Sequence, residues 1–174
     1  MNPFKSAGRG LSTRALVRSG VIAALYVVLT LIFQPISFGA IQFRVSEALT
    51  LLPILTVDAV PGLFVGCLLA NLLGGGVWFD VVLGSIATLL AALCTYKTRK
   101  SPWLAAIFPT VFNGLIVGPV VYFAYVHAPD TPVSIPTLLF NMGTVAFGEL
   151  VVCYVLGMIM LFALKKLPEK LFKD

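Results

Sequence analysis

The sequence predicts an all-α integral membrane protein, a bundle of six helices with both termini on the cytoplasmic side. Three observations predict it. Of the 174 residues, 59% are hydrophobic and only 11% charged, with a mean hydropathy of +1.02, far outside the balance of a soluble domain. Crossing a hydrocarbon core as helix takes about 20 apolar residues, and the chain supplies four or five such stretches, separated by Pro, Gly or basic clusters. The strict alternation of a membrane β-barrel is absent. Finally, Lys and Arg fall into three clusters whose placement reports orientation.

The first span covers 15–33. Arg9, Arg14 and Arg18 stand ahead of its apolar run and the small-residue SFGA lies beyond it, a layout that a secretory leader shares. The rest of the chain is equally apolar, so the segment reads as a retained helix. Region 45–76 is about 30 residues long, too long for one comfortable crossing and short for two. VDAVPG at 57–62 divides it: Asp58 is a good N-cap and Pro61 is tolerated in a first helical turn. That reads as two short helices, 45–57 and 59–74. Spans 78–96, 103–125 and 138–164 complete the bundle as a single domain over 1–174.

Charge counting tests the division, because each crossing flips the side on which a basic cluster lies. The clusters are Lys5, Arg9, Arg14 and Arg18; Lys97, Arg99 and Lys100; and Lys165, Lys166, Lys170 and Lys173. Two crossings in 45–76 put all three on the cytoplasmic side; one crossing puts the middle cluster outside. Six crossings leave Arg44 as the single external basic residue. The short helices then require local bilayer thinning, tilt or cover from neighbours.

At about 1.5 Å per helical residue, each polar group acquires a depth. Gln42, Arg44 and Glu47 lie at the outer start of the second helix, Asn71 near the outer end of the third, and Trp78 and Asp80 at the outer start of the fourth. Asn141 lies about one turn inside the outer end of the sixth, while Asn113 and Glu149 lie near mid-membrane. These groups converge on a cavity opening outward, as a binding site for an external solute requires. Plainer readings stand beside that one. Arg44 and Glu47, three apart, also read as an ion pair at a helix start, and Asp80 after Trp78 as an interfacial anchor and cap. Asn113 and Asn141 suit interhelical hydrogen bonds as well as ligand contact. Glu149 is harder to place structurally, since a carboxylate near the bilayer centre costs several kcal/mol without a partner or water.

Other chemistry is not written in the sequence. Cys67, Cys94 and Cys153 are odd in number and set in apolar runs, so they read as packing residues. His127, in the Pro-rich outer loop HAPDTPVSIP, has no second ligand at metal spacing. No Gly-rich phosphate loop is present, and GGG at 74–76 reads as an outer turn. The expectation is therefore no metal, no cofactor, no nucleic acid and no catalysis on this chain. Rows of small residues, Ala15, Ser19 and Ala23 beside Gly20 and Ala24, and Gly62, Gly66, Ala70 and Gly74, mark close helix approaches. The second row suits packing within the bundle; the first also suits another subunit.

The segment IQFRVSEALTLLPILTVDAVPGLFVGCLLANLLGG at 41–75, continued by WFDVVLGSIATLLAAL at 78–93 and FGELVV at 147–152, resembles the signature region of the QueT family of queuosine-precursor transporters, substrate-binding S components of energy-coupling factor (ECF) transporters. The resemblance implies a six-helix S component in a bacterial cytoplasmic membrane, working in the lipid with a transmembrane T subunit and two ATPase subunits. It also implies that a small-residue row on the first helix docks on the T subunit. Here that row is Ala15, Ser19 and Ala23, or Gly20 and Ala24, and the register departs from strict AxxxA. The implied ligand is a 7-deazaguanine such as preQ1, preQ0 or queuine. Its N1 and 2-amino donors suit a carboxylate and its O6 an amide or Arg, with an aromatic face contributing about 1 to 3 kcal/mol by stacking. Glu149, Glu47, Asp80, Asn141, Asn113, Arg44 and Trp78 carry the right chemistry. Rival readings are an S component for a different vitamin, a stand-alone proton-coupled carrier using Glu149, and an accessory subunit without a ligand.

Overall fold

Apolar sequence without alternation folds here into helices alone: the computed structural model describes residues 12–38, 42–128 and 130–172, and no strand occurs among them. Lys5, Arg9 and Lys173 of the basic clusters lie outside the described residues. Among the described residues, four helices are long and apolar enough to cross a membrane: α1 (Thr13–Ile32), α4 (Asp80–Lys97), α5 (Pro102–Val126) and α6 (Ile135–Leu164). Between α1 and α4 lie two shorter apolar helices, α2 (Val45–Ile54) and α3 (Ala59–Leu73). Large apolar side chains face outward, Leu16, Leu139 and Ile159 among them, as a lipid-facing surface requires.

α2 is wound as a 3₁₀ helix of 10 residues, and every residue from Ser46 to Pro53 is buried. A run of that length is uncommon for a 3₁₀ helix, which has three residues per turn, so side chains at i and i+3 stack in a column. Arg44, the residue before the helix, Glu47 and Thr50 therefore share one face. The helix rises about 20 Å and the 15-residue α3 about 22 Å, both short of a hydrocarbon core of about 30 Å.

α1 and α3 pack through the two small-residue rows. A methyl group added at Gly62 would lie 2.6 Å from the Ser19 carbonyl oxygen, and one at Gly66 only 2.8 Å from Tyr26 Cβ and 3.0 Å from Ala23 Cα. Ala15, Ser19 and Ala23 are thus spent inside the chain, with Ala15 and Ala23 buried, whereas Gly20 has nothing within 4 Å and, like Ala24, is exposed. The Asp58 side chain does not cap α3, contrary to expectation. Its carboxylate pairs with Arg18 at 3.1 Å, its carbonyl accepts from Ser19 Oγ at 2.7 Å, and its N–H reaches Thr56 Oγ1 at 3.3 Å. The α1–α3 contact uses Asp58 to pin the turn between α2 and α3.

Prolines shape α5. Pro109 offers no N–H to the Ala105 carbonyl, which instead accepts from Thr95 Oγ1 of α4 at 3.3 Å. Pro119 likewise leaves the Leu115 carbonyl without its usual donor, and the turn around it, Asn113–Val117, widens to π geometry. Asp80–Gly84, Tyr122–Val126 and Val152–Gly157 are also π-wound. α5 and α6 meet at Gly114 and Gly118, where a methyl group would lie 2.9 Å from Ala146 Cβ and 2.7 Å from Met142 Cα. In the GGG turn after α3, Gly75 adopts φ 78°, in the left-handed region, where a residue without Cβ is at ease.

A buried polar cluster as the candidate solute site

The 3₁₀ winding of α2 presents Arg44 and Glu47 along one column, yet the two do not form an ion pair with each other. Arg44 Nη2 pairs with Asp80 Oδ2 at 3.3 Å, across from the π-wound start of α4. Both side chains are almost wholly buried, 4% and 1% exposed. Glu47, fully buried, accepts from the Tyr26 hydroxyl of α1 and from Thr88 Oγ1 of α4 at 3.2 Å. Local spacing suggested the near neighbour; the bundle supplies a partner 36 residues away.

Around this pair stand amides. Asn71 donates to the Asp80 carbonyl at 3.0 Å and to Cys67 Sγ at 3.6 Å, joining the end of α3 to the start of α4. Asn113, at the head of a π-wound turn, neighbours both Glu47 and Glu149. Glu149 is 6% exposed on α6, three residues before the π-wound Val152–Gly157. Such wide turns re-aim side chains and recur at functional sites. Gln42 is buried, and its carbonyl oxygen sits so close to Gly148 that a methyl group there would lie 2.1 Å from it.

These groups share one property. Among the described residues, the buried side-chain atoms without a hydrogen-bond partner are Gln42 Nε2, Arg44 Nε, Glu47 Oε2, Asn71 Oδ1, Asp80 Oδ1, Asn113 Nδ2, Glu149 Oε2 and Thr110 Oγ1. Seven of these eight atoms belong to residues singled out from sequence as candidate contacts. Buried polar groups in proteins are normally satisfied, and leaving one unpaired costs about 1 to 3 kcal/mol. A cluster of donors and acceptors left open in this way is the chemistry of a pocket for a small polar molecule.

Two candidates fall outside the cluster. Trp78 is 67% exposed, stacks on Phe79 with ring centroids 3.6 Å apart, and lines an outward apolar groove with Leu115 and Phe123. Asn141 spends its Nδ2 on the Thr137 carbonyl of its own helix at 2.8 Å. Beside Tyr26, the charged groups meet the ring of Phe38, whose centroid lies 5.2 Å from Arg44 Cζ and whose edge would clash with any side chain at Gly74. Cys67 packs in the apolar core as expected, with Leu63 and Ala70, and also borders this cluster, since Thr88 Oγ1 approaches its sulfur at 3.3 Å and Arg44 Nη1 at 3.9 Å. Tyr26, Thr88 and Phe38 carried no sequence signal beyond a polar or aromatic side chain in or beside an apolar span. His127, just past the end of α5, lies 3.4 Å from the Tyr122 hydroxyl and packs on the Tyr122 and Phe123 rings of that helix, and the Tyr122 hydroxyl accepts from the Ser134 N–H at 2.8 Å. No group of three or more metal-ligating side chains occurs among the described residues.

A family model described as QueT transporter matches residues 16–166, nearly the whole chain. The chain belongs to the QueT transporter family. It is similar to a queuosine precursor transporter QueT of Lactococcus lactis subsp. cremoris, 38% identical over 80 residues, which are 45% of this chain and 47% of that one. The match thus spans about half the length of that relative. No solved structure matches. QueT transporter family membership and the apolar helices fit a multi-pass membrane protein of the bacterial cell membrane.

Proposed function

We propose that this QueT-family chain is the substrate-binding S component of an ECF transporter, capturing a 7-deazaguanine queuosine precursor from outside for delivery by an ATP-driven module. The observation that carries the reading is the set of open polar atoms from Gln42 to Glu149. Its chemistry complements a guanine-like edge: carboxylate oxygens for N1–H and the 2-amino group, and Asn113 or Arg44 donors for O6. Charge narrows the class. Among the described residues, three buried carboxylates, Asp80, Glu47 and Glu149, stand with one buried base, Arg44, which Asp80 already engages. A precursor carrying an amine, as preQ1 does, would offset one of the two remaining carboxylates at membrane depth, where an unmatched carboxylate is costly.

Six crossings with cytoplasmic termini agree with this reading. Arg44, Asn71 and Asp80 meet at one end of the bundle, and Arg18, Arg99 and Phe172 meet at the other. The exposed pair Gly20 and Ala24 on α1 is the surface proposed for the T subunit, since the other small-residue row is occupied by α3.

Calorimetry on purified protein without ATP tests the proposal. Expected is tight binding of preQ1, weakened about 10- to 100-fold in Glu149→Gln and in Glu47→Gln, the loss typical of a hydrogen bond to a charged group. Absence of both heat and a thermal shift with every 7-deazapurine would sink it. Uptake by the protein alone in liposomes, driven by a pH gradient and abolished in Glu149→Gln, would favour the proton-coupled carrier instead.

A further inference from the structure

Two cavities meet at the basic end of the bundle, away from the polar cluster. The larger, about 510 Å³, is walled by Arg18, Thr56, Asp58, Tyr96, Arg99 and Phe172, together with the end of α2. The smaller, about 260 Å³, shares Arg18, Thr56 and Phe172 with it and is otherwise apolar, with Val21, Leu52, Leu164 and Leu171 in its wall. One compartment is thus polar and charged, and the other is a greasy arm between α1 and the end of α6.

Among the described residues that line the polar compartment are two guanidinium groups and one carboxylate, Asp58, which pairs with Arg18 at 3.1 Å. Arg99 forms no ion pair among the described residues; its guanidinium lies over the Tyr96 ring, 4.5 Å from the centroid. A ring face orients a guanidinium without consuming its five N–H donors. Lys97 and Lys100 flank Arg99 in the chain, and Lys165 and Lys166 follow α6, so the local field is positive as well.

A positive compartment joined to an apolar arm, in a protein surrounded by lipid, fits a molecule with an anionic head and a hydrocarbon tail. Basic pockets between membrane helices bind such headgroups. A free phosphate would use the polar compartment only and leave the arm without purpose. We propose that this two-part cavity holds an anionic phospholipid, its phosphate against Arg99 and Arg18 and an acyl chain in the arm lined by Leu52, Leu164 and Leu171. The site is separate from the solute cluster, so it stands whether or not the ECF reading does.

Native mass spectrometry of the purified full chain, titrated with phosphatidylglycerol, phosphatidylcholine and inorganic phosphate, tests it. Expected is preferential retention of phosphatidylglycerol, weakened about fivefold in Arg99→Gln. Arg99 is exposed and its loss should not unfold the protein; Leu171→Glu, which places a charge in the arm, should weaken retention independently. Equal retention of the two lipids, or unchanged retention in both variants, overturns the proposal. An Arg99-dependent adduct with inorganic phosphate that phosphatidylglycerol does not displace also overturns it, in favour of a soluble anion.

Discussion

One oxygen of Glu47 takes the hydroxyls of Tyr26 and Thr88, and the other is left open beside Asn113. Tyr26 is therefore a positioning residue: it fixes the carboxylate without offering the site an atom of its own. Tyr26→Phe keeps the ring, which is fully buried, and removes the hydroxyl alone. The expected result is a loss of about 1 to 3 kcal/mol in unfolding stability, measured by denaturant titration in detergent, with Thr88→Val costing less because Tyr26 still donates. Equal stability of Tyr26→Phe and the parent would mean that Glu47 does not depend on this contact. Arg44 and Glu47 were visible in the sequence because charge is rare in an apolar chain. Their partners were not: a Tyr or Thr within a membrane span is ordinary, and the ion pair to Asp80 joins residues 36 apart that no local spacing connects. Trp78 is ambiguous for the opposite reason, since an aromatic beside an acid suits a stacking platform and a lipid-facing anchor equally.

At the scale of elements, the sequence divides α2 from α3 but does not announce how α2 is wound. In ten mostly apolar residues, a period of 3.0 and one of 3.6 leave the same composition, and the polar positions do not decide it: Arg44, Glu47 and Thr50 fall at intervals of three, but Ser46 and Thr50 are four apart. The consequence is functional, because 3₁₀ winding sets that column toward the cluster while the chain before it presses on α6. At Gly148 a methyl group would meet the Gln42 carbonyl oxygen at 2.1 Å, and backbone cannot yield as a side chain tip can. Gly148→Ala should therefore displace Gln42 and the start of α2. Expected is at least about a tenfold loss of ligand affinity by calorimetry, the scale of one lost polar contact, with helical content by circular dichroism unchanged. Gly143→Ala, one turn earlier on the same helix with nothing within 4 Å, is the control and should bind normally.

Across the whole molecule, the two small-residue rows of the first helix have different fates, and one pair of substitutions separates them. Gly66→Leu meets Tyr26 and Ala23 of α1; overpacking of that kind costs about 1 to 3 kcal/mol and should lower the melting temperature. Gly20→Leu meets nothing in this chain, so folding and solute binding should persist while uptake by whole cells falls, if that face docks a partner. Orientation is the remaining global property, and it admits a sharp test. The positive-inside rule predicts that α2 and α3 together cross an even number of times, although each is shorter than the hydrocarbon core. With Cys67, Cys94 and Cys153 replaced, single cysteines at exposed Ser101 and exposed Asp130 can be probed in intact cells with a membrane-impermeant maleimide. Six crossings label Asp130→Cys and protect Ser101→Cys until the membrane is opened. If α2 and α3 form a single crossing, every later side inverts: Ser101→Cys is labelled and Asp130→Cys is protected. That outcome would put Lys97, Arg99 and Lys100 outside, against the charge rule, and would place the start of α4, with Asp80, at the inner face.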